Sequence, residues 1–166
     1  MGLSWRNLGH ALTKASEQRA IDARQWGVLY LGAARPGGQP GAQPLIALDR
    51  RGEPLADQGA ALAGLQGLVV LDGNWAQAKA LWWRNAWLTR LRRFVVVPDR
   101  PSLYGNLRRE ARPEALSTLE SVALALSVLS RDPTVRERLL APFAELVRRA
   151  RARGIRDSKR DRRTRR

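Results

Sequence analysis

An acidic residue at the end of an apolar run is the first pattern in this chain that could do chemistry. Leu68-Val69-Val70-Leu71 has the composition of a buried strand, and Asp72-Gly73-Asn74 ends it before a helical stretch that begins near Trp75. A carboxylate at that edge can accept a proton, and partial burial there would make it a better base near neutral pH. The alternative is that Asp72 or Asn74 simply caps the helix that follows. Trp75 lies beside this carboxylate and could wall a pocket. Farther along, Ser117-Thr118-Leu119-Glu120 has the spacing of a capping box, in which serine and glutamate bind the helix amides reciprocally. Remaining amides at such a helix start favour a carboxylate or a phosphate, although the motif is equally at home on an ordinary capped helix. Arg108, Arg109 and Arg112 precede that helix and could grip a phosphate backbone or form a solvated charged loop.

The elements that must position these groups alternate between strand and helix. Apolar runs predict strands over Val28 to Leu31, Leu45 to Leu48, Leu68 to Leu71 and Phe94 to Val97. Helical spacing predicts helices near Gly2 to Lys14, Ala60 to Leu65, Trp75 to Leu88, Leu116 to Leu129 and Val135 to Ala152. Proline and glycine mark a loop from Ala33 to Gln43, and Arg51-Gly52 marks a turn. Strands that are apolar throughout, alternating with helices, argue for an α/β domain with a mostly parallel sheet flanked by helices. Ligands of such sheets bind beyond the carboxyl ends of the strands, where the Gly32, Asp72 and Pro98 loops would lie. Trp75, Trp82, Trp83 and Trp87 crowd one helix; core packing suits most of them, and stacking on unpaired bases is the alternative.

Composition narrows the chemistry. The 166 residues contain no cysteine and one histidine, His10, which excludes disulfides, thiolate catalysis and a histidine-rich metal site; no metal is expected. No apolar run approaches the roughly 18–20 residues that span a bilayer, and no secretion signal is visible, so a cytoplasmic protein without a membrane partner is expected. The formal net charge of +15 bears on partners and not on fold. Nucleic acid is the natural partner for it, although a genome rich in arginine codons would also raise the count. Residues 1–152 would form the folded domain. Residues 153–166, almost wholly polar and basic, would form a disordered tail. The phosphate-loop, dinucleotide-binding and nucleophile-elbow motifs are all absent from the sequence.

Taken in order, these pieces resemble the DTW-domain family, the tRNA-uridine aminocarboxypropyltransferases. Leu71-Asp72-Gly73-Asn74-Trp75-Ala76-Gln77-Ala78 is similar to the family's D-x-T-W signature, with Asn74 where threonine is usual. Ser102-Leu103-Tyr104, Leu107-Arg108-Arg109-Glu110 and Leu116-Ser117-Thr118-Leu119-Glu120 follow its second signature, and Leu29-Tyr30-Leu31-Gly32 resembles an earlier strand end. The resemblance implies a SPOUT-like fold with a C-terminal trefoil knot. It implies S-adenosylmethionine held by Leu31, Gly32, Leu71, Pro98, Ser102, Tyr104, Leu116, Ser117 and Thr118. It implies Asp72 and Trp75 at the reacting centre, tRNA contacts from Arg108, Arg109 and Arg112, and transfer of a 3-amino-3-carboxypropyl group to N3 of a tRNA uridine. A monomer is expected. An RNA methyltransferase on the same fold, or a non-catalytic RNA-binding protein, would fit the same residues.

Overall fold

A computed structural model of the chain describes residues 24–29, 43–73, 75–107 and 115–155. The helix predicted near Gly2 to Lys14, Leu31, Gly32, Arg108, Arg109, Arg112 and the basic tail beyond Ile155 lie outside the described residues. The chain divides into two compact units, Met1–Val97 and Pro98–Arg166.

The first unit is α/β. Its strands are β1 (Trp26–Leu29), β2 (Leu45–Leu48), β3 (Gly67–Val70) and β4 (Arg92–Val96), in the spatial order β2-β4-β1-β3. β1 pairs in parallel with both β3 and β4, and three of its four residues are buried. β2 departs from the parallel expectation: it runs antiparallel to β4, from Leu45 opposite Val96 to Leu48 opposite Arg93, so the sheet is mixed. An antiparallel strand at the end of an otherwise parallel sheet is a common arrangement, and an apolar run carries no mark of strand direction.

The core of this unit forms where α2 (Trp75–Arg84) packs on the sheet; α1 (Gln58–Ala63) precedes β3. Val28, Leu71, Ala78, Leu81, Trp82, Leu88 and Leu91 make one buried cluster, with Trp26, Val69 and Trp87 packed against it. The helix predicted to reach Leu88 stops at Arg84. Buried Asn85 turns its side-chain amide back to donate to the Leu81 carbonyl at 2.8 Å, and a 3₁₀ segment continues from Ala86 to Arg90. Asparagine competes for backbone partners in this way and so favours helix ends.

On another side of β1 the backbone comes close to an aromatic ring. A Cβ added at Gly27 would lie 2.5 Å from Cε2 of Phe94, whose side chain is fully buried. The Gly27→Ala variant is expected to lose about 2–3 kcal/mol of stability, because the ring has no room to yield. Chemical denaturation checks this, and an unchanged unfolding midpoint would show that the ring can move.

The second unit, in its described part, is a helical hairpin: α3 (Thr118–Leu129) and α4 (Pro133–Ala152). A short turn with Arg131 at φ 54° joins them, and Asp132 caps α4 by accepting from the Thr134 amide, with Pro133 in the first turn where its missing N–H costs nothing. Ala123, Leu140, Phe143 and Val147 form the buried seam. Leu103, Tyr104 and Leu107, around the 3₁₀ turn Gly105–Leu107, pack against it.

Candidate active site

Parallel pairing decides where the strand ends fall. Leu29 of β1 is level with Val70 of β3 and with Phe94 of β4, so the carboxyl ends of three strands meet at one edge of the sheet. Asp72 follows β3 at that edge, and Val97 follows β4. Leu31 and Gly32, two and three residues past the end of β1, lie outside the described residues. Gly73 makes the turn from β3 into α2 at φ +133°, a conformation side-chain-bearing residues rarely adopt. Its missing Cβ would also lie 3.0 Å from Gln77.

Asp72 is exposed, so the partial burial expected of a strong base is not found at this position. Leu71, expected to touch a cofactor, sends its side chain into the core and is 5% exposed; only its main chain is left to face a ligand. Trp75 opens α2, and its side chain lies outside the described part. Trp82 is buried as a core residue, but Trp83 is 72% exposed. The helix ends at Arg84, so Trp87 lies in the 3₁₀ segment beyond it and not on the helix that carries Trp83.

In the second unit the sequence-selected residues gather around Glu120, which is 4% exposed. Its carboxylate accepts from Ser102 Oγ at 2.7 Å, from the Leu103 amide at 2.6 Å and from the Ser117 amide at 2.9 Å. Ser117 Oγ in turn accepts from the Glu120 amide at 3.2 Å, completing the capping box. Burial raises the pKa of this carboxyl, but the hydrogen bonds from Leu103, Ser117 and Ser102 together outweigh burial and hold it below the usual glutamate range. The Ser117 amide is engaged by Glu120, as the capping box requires, and so is not free for an anion. The amides of Thr118 and Leu119 have no hydrogen-bond partner among the described residues. Leu116 and Pro98 are half-buried, and the Tyr104 ring meets Phe143 edge-on at 4.9 Å between centroids.

Two residues of this cluster were not singled out from the sequence. Arg136 on α4 makes a two-pronged pair with Asp99, at 2.7 and 2.8 Å, that ties the segment after β4 to the hairpin. Hydrogen bonding to Asp99, then the charges of Asp99 and Glu120, raise the guanidinium pKa against the opposing effect of burial. Its Nε is buried and has no partner among the described residues. No local signal marks this pair, because Asp99 and Arg136 are 37 residues apart. Among the described residues no group of three or more His, Asp or Glu could hold a metal ion, and no helix is long and apolar enough to cross a membrane.

Comparison of the sequence with known proteins identifies the family. The chain matches the DTW domain over residues 12–151, and it belongs to that family. It is 34% identical over 79 residues to tRNA-uridine aminocarboxypropyltransferase 2 of Mus musculus, covering 48% of this chain and 26% of the mouse protein. It is 38% identical over 84 residues to the protein of the same name from Drosophila melanogaster, covering 51% of this chain and 33% of the relative. The match thus spans between about a quarter and a third of the curated relatives' length. No solved structure matches the chain.

Proposed function

We propose that this chain is a tRNA-uridine aminocarboxypropyltransferase that uses S-adenosylmethionine as its donor. The observation that carries the reading is the DTW match over residues 12–151, which includes Asp72 at the shared carboxyl edge of three parallel strands. The names of the mouse and fruit-fly relatives supply the substrate class. The reading brings with it a SPOUT-like fold, a C-terminal trefoil knot, a monomeric state and a cytoplasmic location.

The residues present suit the donor. The buried Nε–H of Arg136 and the Thr118 and Leu119 amides, none with a partner among the described residues, are suited to an amino-acid carboxylate, the amides lying at the positive end of a twelve-residue helix. The half-buried Pro98, Tyr104 and Leu116 offer apolar surface for the rest of the molecule. When bound, the donor supplies a sulfonium whose carbon–sulfur bond is already primed to break.

Asp72 accepts the N3 proton of the uridine as N3 forms its bond to the terminal carbon of the aminocarboxypropyl chain. The bound donor would supply that carbon and keep the carbon–sulfur electron pair as methylthioadenosine, and the proton would pass from Asp72 to water. Asp72 is exposed to solvent, which gives the proton a way out once the modified RNA leaves. The pairing face of uridine is hidden in a duplex, so the target is an unpaired or flipped nucleotide. Arg108, Arg109 and Arg112 hold the RNA backbone.

The test is incubation with unmodified tRNA and S-adenosylmethionine, followed by mass spectrometry of the nucleosides. A uridine carrying the aminocarboxypropyl mass supports the reading; a methylated nucleoside moves the chain to the methyltransferases. A chain ending at Ala152 is expected to bind tRNA more weakly and with a shallower salt dependence, since it lacks the arginines of the tail. Titrations at several salt concentrations decide this: an unchanged slope removes the tail from RNA binding.

A further inference from the structure

One bulky side chain on α2 has no role in the core. Trp83 is 72% exposed, next to Trp82, which is 7% exposed and fully part of the core. One residue step turns the helix by about 100°, so the second tryptophan faces solvent where the first faces the sheet. A single exposed apolar residue is ordinary, but this one has particular company. Lys79, four residues earlier and on the same helical face, is exposed, and so are Arg84 and Arg90. From Gly73 to Pro98 the chain carries five cations and no carboxylate. Among the described residues, Lys79, Arg84 and Arg90 make no ion pair. The helix therefore presents a flat aromatic ring beside exposed cations that pair with no carboxylate among the described residues.

We propose that Trp83 is a stacking platform for an unpaired base of the RNA, with Lys79 and Arg84 holding the flanking phosphates. This rests on the RNA substrate proposed above and adds a contact surface to it. The chemistry selects single-stranded nucleic acid. An indole face stacks on any base, while the cations favour a polyanion over a second copy of this basic chain. Trp83 lies about 12 Å along α2 from the turn that carries Asp72. The platform is thus a secondary contact, within reach of the same RNA strand and away from the reacting atoms.

The experiment measures binding of a labelled oligouridylate of about 12 nucleotides to the full chain by fluorescence anisotropy. Trp83→Ala is expected to weaken binding about tenfold or more, and Trp83→Phe to restore most of it, since a phenyl ring still stacks. The alanine variant should leave the salt slope unchanged, whereas Lys79→Ala with Arg84→Ala should make it shallower. Because Trp83 is exposed, thermal unfolding of both Trp83 variants should match the parent. Equal affinity in Trp83→Ala, equal losses in the alanine and phenylalanine variants, or no oligouridylate binding by the parent would each overturn the proposal. So would self-association that Trp83→Ala abolishes while RNA binding is untouched. The two proposals fail separately. Tight, Trp83-dependent binding with no uridine product keeps the platform and removes the transferase reading. Normal product with Trp83-independent binding does the reverse.

Discussion

Replacing Asp72 with asparagine is expected to slow aminocarboxypropyl transfer by about 10²–10⁴-fold while leaving S-adenosylmethionine affinity largely unchanged. The amide keeps the size and hydrogen-bonding reach of the side chain but cannot take up the N3 proton. Binding should survive because Asp72 is exposed at the strand edge and is not part of the buried cluster formed by Leu71, Ala78 and Trp82. The backbone of the turn also survives, since Gly73 and not Asp72 adopts the left-handed conformation there. Single-turnover assays beside calorimetric titration of the donor separate the two effects. A rate within a few-fold of the parent would remove Asp72 from proton transfer. A parallel loss of donor affinity would instead make it a binding residue.

Removing the Glu120 carboxylate has the largest expected effect on stability. Glu120→Ala leaves the Leu103 amide, the Ser117 amide and the Ser102 hydroxyl facing a buried space without their acceptor. Each unsatisfied donor costs about 1–3 kcal/mol, and the three are not additive, so a loss of about 3–5 kcal/mol is expected. Glu120→Gln keeps one carbonyl oxygen but turns an NH₂ toward at least one donor, for a loss of about 1–3 kcal/mol. Denaturant unfolding gives both values, and hydrogen exchange at Leu103 reports the local loss. Two variants as stable as the parent would mean that water replaces the carboxylate at little cost.

The same group gives an acid dependence of known sign. Its folded-state pKa is depressed, so its contribution is fully present above the unfolded glutamate value of about 4.3 and is lost as pH falls through the lower folded value. The second unit should therefore loosen at acid pH, and Glu120→Gln should flatten that part of the stability profile.

What the sequence by itself determined is everything set by near neighbours. The apolar run Leu45 to Leu48 is β2 at both ends, and the run at Leu68 to Leu71 is β3 shifted by one residue. The capping box at Ser117 formed as its spacing requires, because both of its hydrogen bonds close within one helical turn. The ordered signatures were enough to identify the family. Tertiary structure decided what depends on distant partners. β4 begins two residues early, at Arg92 and Arg93, because these residues pair with Gly27 and Val28 of β1 while their side chains find partners of their own. Arg92 donates to the Ala61 carbonyl and Arg93 lies over the Trp82 ring. Glu120 serves Leu103 and Ser102 from 17 and 18 residues away, and β2 took its antiparallel place only once β4 was there to pair with it. Trp82 and Trp83 are identical side chains in adjacent positions. Only the placement of the sheet against one side of α2 buried the first and left the second facing water.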